Sequence, residues 1–373
     1  VRIFISAGEA SGDLYASRVV AALRGNEFFG CAGPRMQAAG VRAVVDSRSI
    51  AVVGIVEVIG HLPRIYGEFR KLKKAIVAEP PDVAVLTDAP DFHLRLAKFL
   101  KRQGIPVVYL IAPQAWAWRE GRVKTLKATV ERLLCIFPFE EAFFTGHGVP
   151  TTFIGHPLAR IVKSSMTREE FCAALGVPAD KKLIVLLPGS RAGEVARHLP
   201  YLIDAANRMG GRGYVFLLAL PGGFGHTFSE RISGASIQQI EGKTWEALAH
   251  AELALAASGT VTMEAALLGC PLVTFYKVNA LSWMLGRWLV KAPFLSMVNL
   301  VAGRKIAPEL IQGDMTGERI AAEAMRLLDD PKLIGAQRAG LREVAAKLQS
   351  EQDPMEVAAE WVEKVVHEKA SRS

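Results

Sequence analysis

The chain has 373 residues, of which 50 % are hydrophobic and 22 % charged, a balance that excludes a disordered chain and suffices for two domains of ordinary size. A formal net charge of +8 favours anionic partners, yet no basic tract of five residues, zinc-finger spacing or aromatic ribonucleoprotein motif accompanies it, which argues against nucleic acid. Cys31, Cys135, Cys172 and Cys270 form no CxxC pair, and the eight histidines form no HExxH, so neither a disulfide scaffold nor a metal site is expected, and a reducing cytoplasm fits.

The chain opens on a strand, Arg2–Ser6, rather than a charged segment and apolar run, so no signal peptide is expected. The loop AGEASGD (Ala7–Asp13) follows, then a helix over Gly12–Leu23. The loop is glycine-rich but lacks the GxGxxG order of a nicotinamide site. It reads either as a tight turn with Ser11 or Asp13 near the helix start, or as an acceptor-side loop of Gly8, Glu9, Ser11 and Gly12 whose glycines let backbone approach a ligand.

Between Val56 and Lys74, Val58, Leu62, Ile65, Phe69 and Leu72 recur at helical spacing beside Arg64, Arg70, Lys71, Lys73 and Lys74. Two readings stay open: a membrane-facing patch of Val58, Ile59, Leu62, Ile65, Tyr66 and Phe69, or an ordinary helix packed on the core. Gly60, Pro63 and Gly67 count against one straight helix.

Val83–Thr87 is a β-branched-rich run that leads into TDAPDF. Asp88 therefore stands at the carboxyl edge of a sheet, where it can serve as a general base or cap the next helix. A helical pattern over Leu94–Gln103 and strands over Val107–Ile111 and Leu133–Phe137 complete a first α/β alternation. The stretch 154–182 carries no strong strand and reads as a junction.

The alternation then restarts with Leu183–Leu187, Val215–Leu220, Ser236–Ile240 and Leu253–Ala256. The first of these ends in LPGSRAGEV, where Gly189 turns the chain and Ser190 and Arg191 face either phosphate or a salt bridge to Glu194. The last runs into Ser258-Gly259-Thr260 at a helix start, an anion site by its free amides. Glu264, one turn further, is suited to ribose hydroxyls or to compensating the helix dipole. The apolar region 278–301 is broken by Arg287 and Lys291, short of the roughly 20 apolar residues that span a bilayer. Trp283 and Trp288 within it read as core packing or a second membrane contact. In FLSMVNLVAGRKIAPELIQ, Asn299 and Arg304 are polar residues in an apolar setting, so Asn299 must satisfy backbone or meet a ligand. The last 40 residues read as helical with a break near Asp353-Pro354.

The segments AGEASGD, AGPRMQAAG, VVGIVEVIG, DAPDF, PQAWAWR, FPFE, GHPL, LPGSRAGEV, SGTVTMEAAL and NLVAGRKIAPELIQ, in this order, resemble the lipid-A-disaccharide synthases across nearly the whole chain. The resemblance implies an α/β fold of GT-B type, two doubly wound Rossmann-like domains facing across a cleft. Residues 1–160 would form an acceptor and membrane-side domain, 180–345 a UDP-sugar domain, and 346–373 a helical segment packing back toward the first. It implies inverting transfer of 2,3-diacylglucosamine from UDP to 2,3-diacylglucosamine 1-phosphate, giving a β-1,6 disaccharide and UDP, with no metal or other cofactor. Asp88 would be the base. Gly189, Ser190, Arg191, Ser258, Gly259, Thr260, Glu264, Asn299 and Arg304 would bind the donor. It further implies a peripheral protein at an anionic inner-membrane surface and a homodimer that exchanges C-terminal portions. Val298 before Asn299 and His93 after DAPDF depart from the family's usual proline and asparagine. Rival readings are another UDP-N-acetylglucosamine-using enzyme of the fold, such as a UDP-sugar 2-epimerase, and a binding module without turnover.

Overall fold

The computed structural model describes residues 1–50, 55–116, 121–220, 236–278 and 292–372, with side chains from 63 onward in the helix Ile55–Ala78. The chain divides into two compact units, Val1–Pro157 with Ser350–Ser373, and Leu158–Gln349. The boundary falls at the start of the stretch read as a junction, and the capped helix Arg168–Leu175 in that stretch belongs to the second unit.

In the first unit, β1 (Arg2–Ala7), β2 (Glu27–Ala32), β3 (Arg42–Asp46), β4 (Val83–Thr87), β5 (Val107–Leu110), β6 (Arg132–Cys135) and β7 (Thr151–Phe153) form one sheet. Its order is β3-β2-β1-β4-β5-β6-β7 and the pairings are parallel. β4 is buried along its whole length, as expected for a central strand covered on both faces. The order reverses between β1 and β4, which puts the loops after both strands at a topological switch point, the usual ligand crevice of such sheets. The AGEASGD loop follows β1 and Asp88 follows β4.

The second unit repeats the plan with β8 (Lys182–Leu187), β9 (Tyr214–Leu220), β10 (Ile237–Glu241), β11 (Leu253–Ala257), β12 (Leu272–Tyr276) and β13 (Glu309–Ile311). Their order is β10-β9-β8-β11-β12-β13, again parallel, and the switch point lies between β8 and β11. The PGSRAGE and SGT turns leave those two strands. The C-terminal helix, which begins at Pro354, packs on the helix Ala10–Ala22 of the first unit, where Arg18 pairs with Asp353 at 2.7 Å.

The helix Ile55–Ala78 runs through Gly60, Pro63 and Gly67 without ending. Its described face differs from the patch read in the sequence. Leu72 and Ile76 are buried, and Phe69 meets Phe92 edge-on at 5.5 Å, so Phe69 belongs to the core face. Tyr66, by contrast, is 63 % exposed. Lys73 lies over the Phe99 ring and Lys71 pairs with Glu68, while Ile65 is partly buried. The side chains of Val58, Ile59 and Leu62, and Trp283 and Trp288, lie outside the described residues.

Candidate functional site

In the first unit the site is built around Asp88. Both Asp88 and Ala89 have left-handed backbone, at φ 56° and 35°, a conformation that costs non-glycine residues about 1–3 kcal/mol each and persists only where the surroundings enforce it. The turn swings the carboxylate back across β1. Oδ1 accepts from the Gly8 amide at 2.7 Å and Oδ2 from the Glu9 amide at 3.1 Å. Asp88 therefore does not cap its own following helix, whose N-cap is Ala89, but ties β4 to the start of the helix after β1.

This explains the glycines of AGEASGD differently from a ligand approach. A Cβ on Gly12 would lie 1.7 Å from Asp88 Oδ2, and one on Gly8 would lie 2.5 Å from the Ala89 Cβ. The glycines admit the Asp88 turn. Asp13 is also structural: it is buried and accepts from the amides of Arg35 and Met36 at the start of the next helix. Glu9 and Ser11 remain exposed beside the carboxylate.

Burial pushes the Asp88 carboxyl up to about 8, the Gly8 amide pulling the other way and the nearby Glu9 adding to the rise. A carboxyl of this kind takes up a proton readily near neutral pH, which is what general-base work requires. Asp91 pairs instead with Arg122 at 3.0 Å.

Further along the same sheet edge, Ile111 also has left-handed backbone, at φ 67°, so β5 ends one residue before the apolar run does. Past it, Trp116 Nε1 donates to the buried Glu140 at 3.0 Å, and the Phe137 amide to the same carboxyl at 3.3 Å. Burial pushes Glu140 up to about 8 and holds the His156 ring down at about 3. Phe137 stacks on Phe139 and meets His156, so the described part of PQAWAWR joins FPFE and GHPL in one cluster. The sequence carries no local signal for Glu140, because its partner Trp116 comes from a loop distant in the chain; Ala117, Trp118 and Arg119 lie outside the described residues.

In the second unit, Gly189 turns at φ 129° after β8 and the helix Ala192–Arg208 follows. Glu194 folds back over this turn. Its carboxylate accepts from the Ser190 amide at 3.2 Å and the Tyr276 hydroxyl at 3.3 Å, and pairs with Arg191 at 3.3 Å. Arg191 thus makes the salt bridge that was one of its two readings, with its side chain 52 % exposed. His198 anchors the turn from beneath: Nδ1 donates to the Pro188 carbonyl at 2.6 Å and Nε2 accepts from the Lys277 amide at 3.2 Å.

After β11, Ser258 donates to the Leu295 carbonyl at 3.1 Å, and the exposed Gly259 and Thr260 open the helix Thr260–Leu267 with no side-chain cap. Its first amides are therefore available to an anion. Burial raises the Glu264 carboxyl above its ordinary value, opposed by a hydrogen bond from Trp245.

Asn299 is completely buried and serves protein groups with every polar atom. Nδ2 donates to the Ala307 carbonyl at 2.9 Å and to Glu309 Oε1 at 2.8 Å, and Oδ1 accepts from the Ile306 and Ala307 amides. Asn299 thus braces the GRKIAPEL loop, as its backbone reading expects. Glu309, marked in the sequence only by its place in the motif, also accepts from the Leu295 and Ser296 amides. Arg304 pairs at the surface with Glu343 at 2.8 Å.

The ordered motifs have a counterpart among known proteins. The family model described as lipid-A-disaccharide synthetase matches residues 3–362. The chain belongs to the lipid-A-disaccharide synthase family. A member from Solibacter usitatus is 56 % identical over 354 residues, 93 % of each chain. Among solved structures, a calicheamicin glycosyltransferase matches with a TM-score of 0.65 at 16 % identity over 98 % of each chain. A UDP-GlcNAc 2-epimerase from Neisseria meningitidis, bound to UDP-GlcNAc, matches at 0.64 and 11 % identity, covering 99 % of this chain and 100 % of that one. These likenesses show the GT-B fold that epimerases and transferases share, whereas membership of the synthase family makes the chain a glycosyltransferase.

Proposed function

We propose that this glycosyltransferase moves 2,3-diacylglucosamine from UDP onto the 6-hydroxyl of 2,3-diacylglucosamine 1-phosphate, forming a β-1,6 disaccharide and UDP with inversion. Family membership over residues 3–362 supports the lipid A disaccharide as product. The observation that carries the chemistry is the Asp88 carboxyl, held at the switch point of the first sheet by the Gly8 and Glu9 amides. In its ionised form it takes the proton of the attacking hydroxyl, help typically worth about 10²–10⁴-fold in rate. A single displacement opposite the UDP inverts the anomeric carbon and leaves no covalent sugar–enzyme intermediate.

The charge that develops on the departing diphosphate falls to the second unit. Arg191 and the uncapped helix start at Gly259 and Thr260 supply cationic and N–H groups, with the Ser258 hydroxyl beside them and the Gly189–Ser190 turn, whose Ser190 amide Glu194 holds here, facing the phosphates when that carboxylate yields. Glu264 accepts from ribose hydroxyls, and Asn299 and Arg304 shape the loop beside them. Among the described residues no cluster of His, Cys, Asp or Glu is arranged to hold a metal ion, and no cofactor enters the reaction as proposed.

No helix among the described residues is long and apolar enough to cross a membrane. Acylated substrates nonetheless require a membrane face, and the net charge of +8 suits an anionic one. We place the enzyme at the cytoplasmic face of the inner membrane, bound peripherally through the basic helix Ile55–Ala78, and working as a homodimer that exchanges C-terminal portions. The deciding experiment incubates the purified protein with UDP-2,3-diacylglucosamine and the monosaccharide phosphate in EDTA and weighs the products. The disaccharide phosphate and UDP are expected from the wild type and not from Asp88→Ala, which still binds UDP. Turnover by that variant at the wild-type rate would remove Asp88 from the role, and strict dependence on Mg²⁺ would remove Arg191 and the helix amides from theirs.

A further inference from the structure

A carboxylate is only as well aimed as the backbone that carries it, and the backbone at Asp88 is left-handed. Two buried side chains converge on its carbonyl oxygen. The Tyr109 hydroxyl, from the middle of β5, donates to it at 2.8 Å, and His93 Nδ1, from the helix Pro90–Arg102, lies 2.9 Å away. Both side chains are fully buried.

The partners fix the histidine's protonation. A carbonyl oxygen only accepts, so Nδ1 carries the hydrogen. Nε2 is then the acceptor, and the Ser6 hydroxyl of β1 donates to it at 2.6 Å. Burial, which drives the imidazole down to about 4, keeps the ring in this neutral form. His93 from the following helix and Tyr109 from β5 thus reach the Asp88 carbonyl, with Ser6 of β1 behind the imidazole, while the carboxylate itself turns to the Gly8 and Glu9 amides.

We propose that Tyr109 and His93 are positioning residues for Asp88: together they clamp its carbonyl, hold the left-handed Asp88–Ala89 turn, and so aim the carboxylate at the acceptor hydroxyl, with Ser6 setting the tautomer of His93. Neither touches substrate. The inference rests on the reading of Asp88 as the base, and it explains why histidine works where the family resemblance leads one to expect asparagine. An asparagine amide also presents an N–H donor where Nδ1 stands.

The test is kinetic and uses the full chain. Tyr109→Phe keeps the ring and removes the donor; His93→Leu removes the other donor; His93→Asn restores one. Tyr109→Phe and His93→Leu are each expected to lower kcat by about 10- to 100-fold, the scale of a small misplacement of a reacting group, while KM for the UDP-sugar changes by less than about threefold. His93→Asn should recover kcat to within about threefold of wild type. In an Asp88→Asn background Tyr109→Phe should cost nothing further, because its effect passes through the missing carboxylate. If His93→Leu does not fold, Tyr109→Phe, His93→Asn and the double variant still decide. An unchanged kcat in Tyr109→Phe, a loss confined to KM, or an equal further loss in the Asp88→Asn background would overturn the proposal. Asp88→Asn at near wild-type rate would instead overturn the reading of Asp88 on which it rests.

Discussion

At the scale of single residues, Asp88 sets activity and stability against each other. The acceptor hydroxyl needs the ionised carboxylate, whereas burial favours the protonated acid up to about pH 8. At pH 6 only a small fraction of the free enzyme then carries the base, so kcat/KM is expected to climb with pH through the neutral range and level off above about 8. Burial raises this value most; the Gly8 and Glu9 amides lower it, and the charges of Glu9 and Asp13 add to the rise. Stability runs the other way. Between the ordinary carboxyl value of 3.8 and about 8, the folded chain holds a proton that the unfolded chain releases. The stability from this group is therefore complete below the lower value and lost as pH rises through the upper one. Asp88→Asn cannot ionise and escapes that loss. Its Tm relative to wild type should increase from pH 5 to pH 8, and thermal melts at the two pH values that show a constant gap would contradict the buried acid.

At the scale of elements, legibility in the sequence followed local pattern. β4, β8 and β11 each contain an unbroken run of at least four apolar residues and are readable directly. β2 was not, because its register breaks at Gly30, where a Cβ would lie 2.0 Å from the Ile5 carbonyl oxygen. β7 and β13 are three residues each and are specified by their neighbours in the sheet more than by their own residues. The site divides in the same way. Asp88 was legible as a polar residue ending a buried strand, and the Glu194 bridge to Arg191 as an i, i+3 pair. The clamp from Tyr109 and the Glu140 cluster join residues distant in the chain, so no local signal marks them. The strand–turn–helix at AGEASGD yields a direct test of which partner its glycines accommodate. Alanine usually favours a helix over glycine by about 0.5–1 kcal/mol. Gly12→Ala should nevertheless lower kcat by at least about 100-fold, since its Cβ must displace the Asp88 carboxylate. Gly67→Ala, whose Cβ would meet nothing within 4 Å, is the control and should retain its rate. Equal rates for both variants would separate the glycine from the aspartate.

At the scale of the whole molecule, the compact unit that carries Asp88 is completed by residues from the far end of the chain. After Gln349 the chain supplies a helix whose Met355, Ala358, Val362 and Val365 are each no more than 5 % exposed. Arg18 holds its start through Asp353, and Arg132 lies 3.9 Å from the centre of the Trp361 ring. Burying one Val or Met side chain contributes about 1.5–3 kcal/mol, so the methionine and two valines alone bring at least about 4 kcal/mol. A domain's whole stability is about 5–15 kcal/mol. Ending the chain at Gln349 would also expose the face of the helix Ala10–Ala22 on which this segment packs, immediately behind the loop that holds the Asp88 carboxylate. The truncated protein should therefore lose turnover, and its first unit should melt well below the full chain or aggregate. The second unit keeps all of its own residues in the truncation and should still bind UDP. Calorimetry with and without UDP separates the two: a melting transition that UDP still raises is expected to survive the truncation. Full activity in the shortened chain would mean that the C-terminal helix only covers a fold that is complete without it.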